Sequence, residues 1–196
     1  MAAVLEPVAD VRHYFHGHVQ AASKRLDVDT REATEFYLVE LLSGFASVPD
    51  VPPLDAPLAT VLSWALAGQG HERMYRMRCL GDLAMFRCGF FPDSLERRGI
   101  SEDYVVAMGE RAYDAVAAVA ARVPTKSPFG QDLFEELAMR FAEFVRVIEE
   151  VRDQTVLCGE RDVARLYERF CESGSPALLR KLHRQGFFTG GSRETH

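Results

Sequence analysis

Apolar residues recur every three or four positions along most of the chain, the spacing of one helix face, and no stretch alternates long enough to form a strand. Val8, Val11, Phe15, Val19 and Ala22 make the first stripe and predict a helix over about 8–25. The next segment, with Ala33, Phe36, Tyr37, Leu38, Val39, Leu41, Leu42 and Phe45, is apolar around most of its circumference. Such a helix belongs in the middle of a core. Asp29 followed by Glu32 gives it a capping-box start, in which each side chain satisfies an otherwise unpaired amide. Prolines 49, 52, 53 and 57 then interrupt the pattern, and this loop reads as a crossover within one domain. A third helix is expected with Asp55 as its cap, Pro57 near its first turn and Leu58, Val61, Leu62, Ala65 and Leu66 as its stripe, ending at Gly68 and Gly70.

A fourth helix over about 71–90 carries Met74, Met77, Leu80, Ala84, Met85 and Cys88 and stops at Pro92, with a short turn of helix over about 93–98 after it. Ser101 caps a fifth, whose stripe Val105, Met108, Ala112, Val116, Val119 and Val123 ends at Pro124. A sixth, the longest, opens near Ser127 and Pro128. Leu133, Leu137, Phe141, Phe144, Ile148 and Val151 give it almost three heptads, and the pattern predicts that the fifth and sixth pack as an antiparallel pair. Val163, Leu166, Tyr167 and Phe170 mark a seventh helix, and Ser175 and Pro176 open an eighth that Gly186 closes. The expected fold is all-α, a single-domain bundle of six to eight helices over 1–188, with a fraying polar tail over 189–196.

Composition narrows the class without naming an activity. The chain has 196 residues, 47% of them hydrophobic, which excludes a disordered polymer; its longest wholly apolar run, 115–121, is far short of a membrane span. The formal charge of -6 is uneven, reaching +2 over 71–99 and -4 over 129–153. The eighth helix bears Arg180, Lys181 and Arg184 without an acid, but so few cations on an acidic protein argue against nucleic acid. The start lacks a basic segment followed by an apolar one, so the expected location is the cytoplasm. Cys79, Cys88, Cys158 and Cys171 should then remain thiols, and none forms a C-x-x-C pair.

Two places in the sequence invite chemistry. His13 and His16, three apart on the first helix, are spaced to share a metal ion, or one of them to ligate a haem. No Glu-x-x-His follows, which argues against a di-iron bundle. In the fourth helix, Gly81 and Gly89 suggest close backbone approach, and Arg78 and Asp82 are spaced to pair. Arg87, among Phe86, Cys88 and Phe90, is a candidate buried guanidinium. It would receive a carboxylate or phosphate if it faced a cavity, or else pair internally with Asp82, Glu35 or Glu40. No nucleophile elbow, phosphate-binding loop, dinucleotide fingerprint or zinc-protease motif occurs.

Phe36 to Leu42, Gly81-Asp82 through Gly89-Phe-Phe-Pro92 and Leu166-Tyr-Glu-Arg169 resemble segments of an uncharacterised family of proteobacterial helical proteins. The resemblance implies a discrete helical domain and carries no activity, cofactor or catalytic residue with it. Two functions follow as expectations. The first is an interaction or regulatory module, pairing with itself or another protein through an apolar surplus on the second, fifth or sixth helix. The alternative is a small-molecule, haem or metal-binding helical protein, even a redox enzyme, with His13, His16, Tyr37, Asp82, Arg87 and Tyr113 around a cavity of roughly 300–1,000 Å³.

Overall fold

The computed structural model describes residues 7–47, 56–122 and 130–155, and the fold is an all-α bundle. Eight helices are seen among these residues: α1 (Pro7–Arg25), α2 (Glu32–Ser47), α3 (Leu58–Ala67), α4 (Gly70–Phe90), α5 (Pro92–Arg97), α6 (Glu102–Ala120), α7 (Gln131–Met139) and α8 (Phe141–Gln154). None of them is long and apolar enough to cross a membrane. The prolines at 49, 52 and 53, Asp55, Pro124, Ser127, Pro128 and the expected seventh and eighth helices with the tail lie outside the described residues.

α2 buries Tyr37, Leu38, Val39, Leu41, Leu42 and Phe45 but leaves Phe36 49% exposed and packs chiefly on α1, so the middle of the core is not α2 but α4, which packs on α2, α3, α5, α6 and α8. From Leu83 to Phe90 every residue of α4 is buried. Its glycines explain how neighbours come so close. A Cβ on Gly81 would lie 2.7 Å from the Tyr113 ring of α6, and one on Gly89 would overlap Ile148 of α8. Gly109 of α6 is a third such position, which the stripe did not reveal: the Phe141 ring fills the place of its side chain.

Two predicted features are corrected. The capping box at Asp29 does not form. Asp27, at φ 54°, turns the chain after α1, and residues 28–31 run on without regular structure, so that the Arg31 carbonyl accepts the first amides of α2, from Thr34 and Glu35. Asp29 instead offers its carbonyl to Arg140 at 2.6 Å. Second, the long heptad helix is broken at Arg140, whose φ of -115° and ψ of 24° lie outside the helix. The Arg140 guanidinium gathers Glu136 at 3.0 Å and Glu143 at 2.7 Å across the break, holding the joint from both sides. An unbroken helix would keep its whole stripe against α6. The break leaves α7 on α6 and sends α8 chiefly across α4 and α1, so the expected antiparallel pair exists only for its first half.

At smaller scale, Ser101 sits at the N-cap of α6 as expected, although its hydroxyl makes no capping bond. α3 starts one residue after Pro57. The α3–α4 link is short because Gly68 lets the backbone of Arg73 approach, a Cβ there meeting its Cα at 3.0 Å, and Gly70 takes φ +54°. That turn folds α3 back along α4.

Candidate functional site

Three of the nominated residues converge from three helices. Tyr37 of α2 donates its hydroxyl to Asp82 Oδ1 at 2.5 Å, and Tyr113 of α6 donates to the same oxygen at 2.7 Å. Asp82 Oδ2 faces Arg78 Nε at 3.5 Å, one helical turn earlier on α4, as the spacing predicts. The Arg78 guanidinium also lies 5.3 Å from the centre of the Tyr37 ring, and Phe134 of α7 packs edge-on to Tyr37. Both tyrosines are fully buried, while the Asp82 side chain keeps 16% of its exposure. The absence of a side chain at Gly81 is what admits the Tyr113 ring to this place.

The electrostatics describe an acceptor, not a nucleophile. Burial pushes the Asp82 carboxyl above the usual range, opposed by the Arg78 charge and the two phenol donors. Burial, reinforced by the neighbouring carboxylate, holds Tyr37 and Tyr113 well above an ordinary phenol, so they stay protonated donors. Burial disfavours the Arg78 charge, but Tyr37 and Asp82 outweigh it and raise its pKa. Each polar group in the cluster is thus occupied by another member of it, an arrangement that ties α2, α4 and α6 together.

The remaining nominated residues lie apart from this cluster. Arg87 is buried and donates to the Ala56 carbonyl at 2.7 Å, holding the start of α3 against α4. The carboxylates considered for it have other partners: Arg78 and the phenols for Asp82, His16 for Glu35 at 3.1 Å, and Arg12 for Glu40 at 2.8 Å. His13 is exposed on α1. Among the described residues no group of three or more histidine, cysteine or carboxylate side chains is placed to hold a metal, so His13 and His16 gather no third ligand there. Cys79 and Cys88 are free buried thiols, and burial pushes Cys88 up to about 12, where a reactive thiolate is negligible at neutral pH.

A cavity lies elsewhere, on a face that pattern reading passed over. Between α3, α4 and α6 is a half-open groove of about 300 Å³. Leu62 and Leu66 of α3, Met77 and Leu80 of α4, and Tyr104, Met108 and Ala112 of α6 line it, with Arg73 and Arg111 as the charged members among the described residues. Leu66 and Tyr104, both lining it, are each 49% exposed. Tyr104, Met108, Arg111 and Ala115 are spaced four, three and four apart, so this face of α6 was present in the sequence as a second, weaker stripe. No protein family, curated protein or solved structure matches the chain.

Proposed function

We propose that the chain is a cytosolic helical binding protein that accommodates a small apolar ligand in the α3–α4–α6 groove. The observation that carries this reading is the groove itself: about 300 Å³, lined almost wholly by aliphatic, methionine and aromatic side chains. That is the lower end of the range of small-molecule sites, which are mostly apolar with few polar groups. The Asp82 cluster is read as structural, because its donors and acceptors satisfy one another. Free buried thiols at Cys79 and Cys88 suit a reducing compartment.

The test is a titration of the full-length protein with the neutral dye 1-N-phenylnaphthylamine. Saturable one-to-one binding is expected, and Ala107→Phe, which places a ring into the groove from a half-exposed position of α6, should abolish it. Unsaturable binding, or binding indifferent to that substitution, overturns the reading.

A second reading, self-association as an interaction module, is favoured by the exposed aromatics Trp64, Tyr75 and Tyr104 on the same three helices. A stable interface would bury at least about 1,000 Å². Light scattering over rising concentration decides it: a dimer dissociated by Tyr104→Glu supports self-association, and a monomer throughout excludes it.

A further inference from the structure

The groove's two arginines say more about its occupant than its volume does. Elsewhere on α4 the arginines are engaged: Arg76 with Glu72 at 2.5 Å, and Arg78 with Asp82. Arg73 and Arg111, both exposed, make no ion pair or side-chain hydrogen bond with any described residue. Among the described residues these two guanidiniums are the charged groups that line the apolar groove, on a protein whose net charge is -6. Guanidinium pairs planar oxyanions by charge-assisted hydrogen bonds, and its weak hydration suits it to the edge of an apolar surface. The volume of the half-open groove sets a scale for the apolar part of the ligand. At about 30 Å³ for each water-sized group, 300 Å³ holds on the order of ten methylenes.

We propose that the groove takes a single-chain amphiphile of about ten carbons bearing an anionic head, with the chain against Leu62, Met77 and Met108 and the head at Arg73 and Arg111. The inference rests on the apolar-ligand reading above and adds the ligand's length and charge. It commits to a free monomeric ligand, because a half-enclosed groove of this volume shields one chain from water and presents no extended flat apolar face for a bilayer.

Calorimetric titration of the full-length protein with decanoate, decanol and decyltrimethylammonium, each below its micellar concentration, tests it. Decanoate should bind one to one and at least about tenfold more tightly than the cation, with decanol between them. Arg73→Gln combined with Arg111→Gln should remove the decanoate advantage and leave decanol binding unchanged. Both arginines are exposed, so the double variant is expected to fold, and circular dichroism verifies it. Equal binding of all three probes overturns the anionic head while leaving an apolar site standing. Failure of all three, together with failure of the neutral dye, overturns the site itself. Flotation with phosphatidylglycerol vesicles that depends on both arginines, without binding of monomeric decanoate, assigns the charge to a membrane surface and overturns the proposal.

Discussion

Asp82 accepts both phenols on one carboxylate oxygen, so the two donors are not independent. Removing one lets the survivor bond more strongly to the shared oxygen; removing both strips a buried carboxylate of two partners. Tyr37→Phe and Tyr113→Phe should each lower stability by about 1–2 kcal/mol, and the double variant by more than their sum. Urea unfolding of the four proteins tests this, and strict additivity contradicts a shared acceptor. The same geometry fixes a pH response. Because burial raises the folded-state pKa of Asp82, the folded protein binds its proton more tightly than the unfolded chain does. Stability from the neutral carboxyl is complete below the unfolded value near 3.8 and is lost as pH rises through the higher folded value. Asp82→Asn should flatten that part of the stability profile, and Tyr113→Phe, by deleting a donor that favours the charged form, should move it to higher pH. Urea midpoints measured across pH 3 to 8 decide both.

At the scale of elements, most helices were legible because their cores are regular stripes. The departures have identifiable causes. A heptad stripe runs unbroken through Leu137, Phe141 and Phe144, and nothing in apolar spacing marks the break at Arg140. At the break Arg140 pairs with Glu136 and Glu143, four and three residues away, and donates to the Asp29 carbonyl 111 residues away, and only this last contact is one that an unbroken helix would not itself suggest. Likewise the capping box at Asp29 is a sound local signal overridden by the turn at Asp27. Glycines show the same division. Gly17 on α1 has open space around it, so Gly17→Ala should stabilise the protein by about 0.5–1 kcal/mol through helix propensity alone. Gly109→Ala carries the same local gain but must displace the fully buried Phe141 ring, and should cost about 1–3 kcal/mol net. Thermal unfolding of the two variants should therefore shift in opposite directions.

For the molecule as a whole, sequence reading nominated Tyr37, Asp82 and Tyr113 as ligand-binding groups around a cavity with His13, His16 and Arg87, and it missed the groove, for one physical reason. Tyr37 and Asp82 stand out as polar groups set among apolar neighbours, where they must find partners when buried. Arg73 and Arg111 sit on exposed helix faces, where an arginine is ordinary, and only the placement of α3 on α4 beside α6 turns them into the edge of a cavity. The uneven charge did carry a trace of this, since Arg73 belongs to the one basic stretch in the first half of the chain. The location of Arg87 was likewise legible, as a buried guanidinium, while its carbonyl partner at Ala56 was not, because backbone acceptors leave no mark in sequence.

The chain's one tryptophan, Trp64, lies on α3, stacked 4.7 Å from the guanidinium of Arg76, which also donates to the Trp64 carbonyl at 2.7 Å. α3 leans mainly on α4, so its indole emission watches one outlying corner of the bundle while far-ultraviolet ellipticity watches every helix. If that corner opens as a separate cooperative unit, the emission midpoint in denaturant will precede the ellipticity midpoint, and coincidence of the two would show that α3 melts with the rest. A premature optical transition would mean that the groove wall can detach while the Asp82 knot still holds, giving an occupant a route in that leaves the core intact.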